Sequence, residues 1–230
     1  MSWTIPKKKR RQYDGLPSVT QIIDKNLGWN KAPLMAWANK QGRVTGKTLH
    51  QLRDETTKVG SLAHHLIECF LVGTAAHETQ EWHESDSVTQ AKATCGLKGF
   101  CDWWKAYGEP EYELVDVERT MRSENMGYAG TCDMVLLDRD TGQLVIADVK
   151  TGKVHPEALI QIAAYAMLLS EEKNHAITVK RGTILHVNCE ESTCVEKPLS
   201  SVGFSTAESV FDSLLHVEEC RTLLEDGAIQ

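Results

Sequence analysis

The sequence predicts an α/β fold in which helices flank a central β-sheet, after a helical N-terminal part. Two observations lead to this fold class. Apolar residues recur at helical spacing as far as Gly108, and the period then changes to that of strands. The order of the segments is also informative. Helices, a meander of three strands, a helix, two strands and a last helix are typical of a sheet covered by helices.

Four helices are predicted in the first half from their capping residues and apolar stripes. Ser18 is a suitable N-cap for the first helix, which Gly28 ends, and the segment KAPLMAWANKQG forms a short second helix. The third helix, over 56–73, carries an apolar stripe at helical spacing, formed by Val59, Leu62, Ala63, Leu66 and Phe70. A polar loop over 74–87 precedes the fourth helix, over 88–108.

The second half is predicted to hold the sheet. Five strands are expected, over 112–121, 127–138, 143–150, 176–189 and 194–199. The turn-like segment DRDTG joins the second strand to the third. A helix begins at Pro156, a residue favoured at the first helical position. Ser205 and Glu208 form a capping-box signature for the closing helix.

The chain has the composition of one globular domain. Of its 230 residues 41% are hydrophobic and 25% are charged, which is ample for a single core. We assign residues 1–15 to a basic, flexible arm and residues 16–230 to one domain. Within that domain the helical part spans about 16–108, the sheet about 109–200 and the last helix about 205–227.

Membrane, signal and cysteine patterns indicate the compartment. The apolar runs are far shorter than a membrane span. The start of the chain, MSWTIPKKKRRQYDG, has no apolar stretch of the kind found in secretory signals. The seven cysteines are scattered without a C-x-x-C pair, which argues against a disulfide framework. We therefore expect a reducing cytoplasm and no association with a membrane.

The net charge of −7 is not typical of a nucleic-acid-binding protein, although a local basic strip can coexist with an acidic total. One run holds five of the 25 basic residues, namely Lys7, Lys8, Lys9, Arg10 and Arg11. Three interpretations of this run remain open. It is an arm that contacts DNA phosphates, a look-alike of a nuclear-localisation signal, or a solvated tail.

An acid and a base lie two residues apart in the strand-like segment IADVKTGK. Strand side chains alternate between faces, so Asp148 and Lys150 point one way, and Ala147 and Val149 point to the core on the other face. Burying either charge in an apolar strand is costly unless it has a partner. Lys153 follows the end of the strand and is at most a phosphate contact.

The preceding strand supplies a second carboxylate. A hairpin whose turn is centred on Asp140 and Thr141 pairs Asp133 directly with Asp148, which places their Cβ atoms roughly 4.5–5.5 Å apart. Carboxylates this close repel each other unless a cation lies between them, and Mg²⁺ favours one or two carboxylates with waters and phosphate oxygens. A register slip of one residue would move Asp133 to the other face. Asp138 is interpreted, with Asp140, as a turn residue.

Each part of this pattern also has a purely structural interpretation. Asp148 and Lys150 can form a salt bridge that binds nothing, and a D-x-K triplet is frequent by chance. Gln161 and Tyr165, four residues apart on the next helix, fit an ordinary amphipathic face.

The third helix offers a further candidate. Gly60, His64 and Glu68 follow one line along this helix. Periodicity does not choose between His64 and His65, because both flank the apolar stripe.

Together these residues resemble the PD-(D/E)XK nuclease superfamily, and within it the RecB-type exonuclease branch. The branch has G-x-x-x-H on a helix, G-x-x-D on a strand, then D/E-x-K, then Q-x-x-x-Y on the following helix. The corresponding residues in this chain are Gly60 with His64, Gly130 with Asp133, Asp148 with Lys150, and Gln161 with Tyr165. The segments LPSVTQII and WANKQG also look like the leader of phage exonucleases and of the mitochondrial genome-maintenance exonuclease.

The resemblance implies a restriction-endonuclease-like αβββαβ core with a mixed sheet. It also implies one or two Mg²⁺ or Mn²⁺ ions held by His64, Asp133, Asp148 and the carbonyl of Val149. Lys150 becomes the catalytic lysine, and Gln161 and Tyr165 orient it, the water or the DNA. Some relatives bind an iron–sulfur cluster, but the spacing of Cys189, Cys194 and Cys220 leads us to expect none here.

The implied activity is metal-dependent hydrolysis of DNA from its ends, in phage or bacterial replication, recombination or repair. Two alternatives remain, a structure-specific DNA endonuclease and a protein of the same fold that binds DNA without cutting it. The expected partners are DNA and either further copies of the chain or a single-strand-annealing recombination protein. The expected location is the cytoplasm, that of the bacterial host if a phage encodes the protein.

Overall fold

The computed structural model describes residue 13 and residues 15–28, 31–172 and 178–227. The basic run Lys7, Lys8, Lys9, Arg10 and Arg11 lies outside the described residues. Eight α-helices are described: α1 Val19–Asn26, α2 Lys31–Thr45, α3 Leu49–Val72, α4 Gln80–Glu84, α5 Ser87–Trp103, α6 Glu109–Glu111, α7 Pro156–Glu172 and α8 Ser201–Gly227. The five described strands are β1 Tyr112–Ser123, β2 Tyr128–Asp138, β3 Leu144–Lys150, β4 Arg181–Asn188 and β5 Thr193–Pro198.

The strands form one mixed sheet in the order β1-β2-β3-β4-β5. All neighbours are antiparallel except β3 and β4, which are parallel and are joined through α7. A parallel pair needs such a crossover connection. The order of α5, three strands, α7 and β4 confirms the predicted αβββαβ core.

Two apolar cores lie on opposite faces of the sheet. One core contains residues of α1, α7 and α8 together with Ile146, and the other contains residues of α3 and α5 together with Ala147 and Val149. The alternation along β3 is therefore as predicted. Within the described residues no helix is both long and apolar enough to cross a membrane.

The register of the hairpin formed by β2 and β3 is the predicted one. The ladder pairs Leu137 with Leu144 at the turn and ends at Met134 with Ala147, one step before Asp133 and Asp148. The predicted direct pairing of these two aspartates is not formed, because the ladder ends before it reaches them.

Several predicted boundaries were wrong, each for a local reason. The third helix begins at Leu49 rather than at 56, because Thr48 and Gln51 form a capping box. The last helix begins at Ser201, where the Ser200 hydroxyl accepts a hydrogen bond from the Gly203 N–H at 3.0 Å. Ser205 therefore lies inside the helix and its hydroxyl donates to the Val202 carbonyl.

Three further segments also differ from the predictions. The polar segment over 74–87 holds a 3-10 turn and α4 instead of a loop, since Thr79 caps α4. The second helix runs through Gly42 to Thr45. The fourth strand begins at Arg181 rather than at 176.

Asp138 is confirmed as a turn residue between β2 and β3. Its Oδ1 accepts hydrogen bonds from the N–H groups of Asp140, at 3.1 Å, and Thr141, at 2.7 Å. Its Oδ2 lies 2.5 Å from the Arg181 guanidinium of β4. Burial favours the neutral carboxyl, but these donors outweigh it and lower the pKa of Asp138 to about 2.

Asp138→Asn is expected to lower the free energy of unfolding by about 1–3 kcal/mol at pH 7, because it removes charge-assisted hydrogen bonds. A depressed folded-state pKa stabilises the protein above the ordinary value of 3.8, and this contribution is lost as the pH falls toward about 2. Urea unfolding should show the difference between wild type and variant shrinking over that range. The exposed neighbour Asp140→Asn, the control, should change stability by less than about 0.5 kcal/mol. If the difference in unfolding free energy between wild type and Asp138→Asn did not change with pH, the prediction would be wrong.

Candidate metal and active centre

A cavity of about 150 Å³ lies where α3, β2, β3 and α7 meet. Six of the predicted site residues line it: His64, Asp133, Asp148, Lys150, Gln161 and Tyr165. The rest of the lining comes from the start of α1, from Tyr13 and from the beginning of β2, and includes the hydroxyl residues Ser18, Thr20 and Thr131. Four elements that are distant along the chain therefore bring an imidazole, two carboxylates, an ammonium, an amide and a phenol to one cavity.

Asp133 lies at an interruption of β2. Cys132 belongs to the core under α7, whereas Met134, two residues later, belongs to the core under α3. The strict alternation of the strand is therefore broken at Asp133. The ladder to β3 ends at the same place, and Asp133 Oδ2 accepts the Val149 N–H at 2.7 Å. A side-chain carboxylate thus replaces a backbone acceptor, which keeps the N–H satisfied where the two strands part.

His64 reaches Asp133 from α3. The distance from His64 Nδ1 to Asp133 Oδ2 is 3.5 Å. Burial lowers the pKa of His64, but the charge of Asp133 outweighs it and raises that pKa above the ordinary value. In turn, burial raises the pKa of Asp133, while His64, Lys150 and the Val149 N–H hold it below the usual range. The two groups stabilise each other in their charged forms when no cation is bound.

His65, the other candidate on α3, points elsewhere. Its Nε2 lies 3.0 Å from the Thr79 hydroxyl and its Nδ1 lies 3.5 Å from a Glu68 carboxylate oxygen. It is buried against the segment that leads into α4. The structure therefore resolves the choice that periodicity leaves open, with His64 at the cavity and His65 in a structural contact.

Asp148 is almost completely buried, with 2% of its surface exposed. Its Oδ2 lies 2.5 Å from Lys150 Nζ, and apart from this ion pair Oδ2 has no hydrogen-bond partner among the described residues. Burial raises the pKa of Asp148 to about 6, with Asp133 adding to the effect and Lys150 opposing it. For Lys150, burial lowers the pKa, but the two aspartates raise it above its ordinary value. The lysine is therefore held as an ammonium beside the carboxylate.

A chain of hydrogen bonds fixes the position of the lysine from α7. Lys150 Nζ donates to Gln161 Oε1 at 3.1 Å, and Gln161 Nε2 donates to the Tyr165 hydroxyl oxygen at 2.7 Å. Tyr165 is buried, and burial raises its pKa well above the ordinary value, so it stays a neutral phenol. Gln161 and Tyr165 are thus connected by hydrogen bonds to the ion pair of Lys150 and Asp148, which an ordinary amphipathic helix face would not require.

Two predicted residues lie apart from this group. The side chain of Val149 packs in the core under α3, so only its backbone is offered to the site. Lys153 is exposed beyond the end of β3 and does not line the cavity.

Gly130 lets Tyr165 approach the sheet closely. A Cβ atom at Gly130 would lie 2.5 Å from Cε1 of Tyr165 and 3.0 Å from Val19 Cγ2. Gly130→Ala is therefore expected to lower the free energy of unfolding by about 1–3 kcal/mol, the usual cost of overpacking, and to displace Tyr165 from Gln161. Gly152→Ala, where a Cβ meets nothing within 4 Å, is the matched control. Thermal unfolding checks this, and equal stability of the two variants would contradict it.

Glu118 was not predicted as a site residue. A carboxylate oxygen of Glu118, a ring nitrogen of His64 and a carboxylate oxygen of Asp133 all lie within 4.8 Å of one another. The signal that could have found it is the turn-like segment SENMG between the first two strands. A hairpin centred there places Glu118 opposite Asp133, between the observed pairs Val117 with Met134 and Arg119 with Cys132.

Comparison with known proteins gives one family. A family model described as PD-(D/E)XK nuclease superfamily matches residues 33–226, well over half of the chain. No curated protein matches the chain. Among solved structures 21 chains match, and one, described as "Crystal structure of SSO0001", is 13% identical. That match covers 68% of this chain and 74% of the other, with a TM-score of 0.26, and it carries no weight for fold or function.

Proposed function

Since the chain belongs to the PD-(D/E)XK nuclease superfamily, we propose that it is a metal-dependent exonuclease that hydrolyses phosphodiester bonds from DNA ends. Family membership indicates a nuclease with DNA as its substrate, and the mixed sheet with flanking helices agrees with the restriction-endonuclease-like fold. One observation carries the proposal. Asp133, Asp148 and Lys150 converge on one cavity, with the ammonium of Lys150 2.5 Å from Asp148.

The donor set fits a hard divalent cation. Asp148 Oδ2 is a buried oxygen whose polar partner among the described residues is Lys150, and a cation between Asp148 and the carboxylate of Asp133 would reduce the repulsion between them. We assign the ligands to Asp133, Asp148, His64 and the carbonyl of Val149. Oxygen ligands favour Mg²⁺ and an imidazole suits Mn²⁺, so either ion, one or two per chain, is proposed. When bound, the metal lowers the pKa of a water and neutralises charge on the phosphate.

Lys150 is proposed to act on the water and on the phosphate. Its ammonium has three donors, of which one is directed to Asp148 and one to Gln161. Lys150 also lines the cavity, so its remaining donor can hold the attacking water or stabilise negative charge on a phosphate oxygen. Gln161 and Tyr165 keep the lysine in place, and His64 keeps Asp133 charged. No covalent intermediate with the protein is needed.

The preference for DNA ends rests on the likeness of the motifs to the RecB-type branch. A structure-specific endonuclease is the nearest alternative, and a protein that binds DNA without cutting is the other. The convergence of both aspartates with Lys150 disfavours the second alternative, because a binding protein has no need of it. Phage or bacterial replication, recombination or repair is the proposed setting, in the cytoplasm.

Three further proposals concern partners and cofactors. The basic run at Lys7–Arg11 is proposed as an arm for DNA phosphates, and deleting residues 1–11 should then reduce the salt dependence of DNA binding. Further copies of the chain or a single-strand-annealing protein are proposed as partners. No iron–sulfur cluster is proposed for Cys189, Cys194 and Cys220.

The deciding experiment uses single- and double-stranded DNA labelled at the 5′ or the 3′ end, together with a closed circle. Each is incubated with the protein and Mg²⁺ or Mn²⁺, with EDTA as the control. Release of short products from linear DNA alone supports an exonuclease and reveals its polarity. Cutting of the circle would establish an endonuclease instead, and activity in EDTA would exclude the metal.

A further inference from the structure

We propose that Glu118 is a further metal ligand of this centre, binding a divalent cation together with His64 and Asp133. The inference rests on the proposed metal-dependent function and adds a residue to it. It begins from a small cavity of about 10 Å³, which shares His64 and Asp133 with the large one and is also lined by Glu118 and Val149. That volume holds about one water-sized sphere and is therefore large enough for a single divalent ion.

The position of Glu118 in the sheet brings it to this cavity. Its neighbours Val117 and Arg119 pair with Met134 and Cys132, so Glu118 is opposite Asp133 in register. Glu118 and Asp133 therefore lie side by side on adjacent strands, and both line the small cavity.

The backbone at Glu118 differs from that of an ordinary strand. Its φ is +49°, one of two positive φ values at non-glycine residues in the part of the chain that the structure describes. A strand residue in this conformation interrupts the alternation of side chains. The alternation of β1 is thus interrupted at Glu118, opposite the position where the alternation of β2 is interrupted, Asp133. The side chains of Glu118 and Asp133 both line the small cavity.

The distances fit one cation. The three donor atoms of His64, Glu118 and Asp133 lie within 4.8 Å of one another. In an octahedral site with ligands at about 2.1 Å, donor atoms are separated by about 3–4.2 Å. A small closing movement therefore brings all three into coordination. The set contains an imidazole and two carboxylates, a mixture that Mn²⁺ accepts readily.

The test compares Glu118→Gln with Glu113→Gln, the same change at an exposed position of the same strand. Isothermal titration with Mn²⁺ should show binding weakened at least about tenfold by Glu118→Gln and left within about twofold of wild type by Glu113→Gln. In EDTA the melting temperature of Glu118→Gln should be no lower than that of the wild type. The rise in melting temperature on adding Mn²⁺ should be smaller for the variant. Glu118→Asn, a residue that tolerates positive φ, should behave in the same way.

Two results would overturn the proposal. One is wild-type Mn²⁺ affinity in Glu118→Gln, and the other is an equal fall in melting temperature with and without metal, which indicates a structural role. Cleavage of labelled DNA by the wild type is measured separately. If the wild type binds Mn²⁺ but cuts no DNA, the exonuclease proposal fails and the titration still decides the role of Glu118.

Discussion

Lys150→Met should reduce kcat/KM for DNA cleavage by about 10²–10³ while leaving the fold intact. The ammonium is the cation of the protein nearest to Asp148, and removing one group that stabilises developing charge typically costs this much. The affinity for Mn²⁺ should persist, since both aspartates and His64 remain. A steady-state assay on end-labelled DNA with saturating Mn²⁺ measures the loss. The matched control is Lys98→Met, an exposed lysine on α5 outside the site.

The same variant should also be less stable, in a way that depends on pH. Without Lys150 the buried carboxylate of Asp148 has lost its ion pair, and its pKa should rise above the value of about 6. The cost at pH 7.5 should be about 1–3 kcal/mol, below the roughly 3–5 kcal/mol of an uncompensated buried charge, because Asp148 takes up a proton. A carboxyl with a raised folded-state pKa loses stability as the pH rises above the ordinary value of 3.8. The loss of unfolding free energy relative to wild type should therefore become smaller toward pH 5. In the cleavage assay, undiminished activity of Lys150→Met would refute the role of Lys150.

Asp133→Asn should eliminate both Mn²⁺ binding and cleavage, with activity lower by at least about 10³. Asp133 is the acid shared by the contacts to His64 and to the Val149 N–H, and it lines both cavities. The asparagine oxygen can still accept the Val149 N–H, so the backbone contact survives while the charge is lost. Titration with Mn²⁺ and the DNA assay measure the effect.

Two controls separate this loss from unfolding. Asp102→Asn removes an exposed aspartate on α5 and should bind and cleave as the wild type does. In Asp133→Asn itself, NMR titration without metal should show the pKa of His64 lower than in the wild type, because the charge that raises it is gone. Wild-type affinity for Mn²⁺ in Asp133→Asn would contradict the assignment of Asp133 as a ligand.

Local chemistry explains which parts of the fold could be predicted. Asp138 and Asp140 lie in the turn between β2 and β3. The position of this turn in the sequence therefore predicts which residues of the two strands pair. Periodicity likewise located α7 and α3. Two serines near the start of α8 are possible caps, and the structure has Ser200 as the cap, with Phe204 of the first turn buried in the core.

The site could be predicted less completely. The order of its motifs is a property of the sequence, and that order alone predicts Asp133, Asp148, Lys150, Gln161 and Tyr165. The choice of His64 over His65 needs the position of α3 relative to β2. The turn SENMG places Glu118 opposite Asp133, but the direction of its side chain depends on a positive φ in a strand, which no pattern of residue types indicates.

The cavity at the parting of β2 and β3 is lined from both faces of the sheet. His64 belongs to a helix packed on one core, whereas Gln161 and Tyr165 belong to a helix packed on the other. The side chains that line the cavity thus come from helices on both faces of the sheet. The side chains around the cavity therefore keep their mutual distances only while α3 and α7 both stay packed on the sheet.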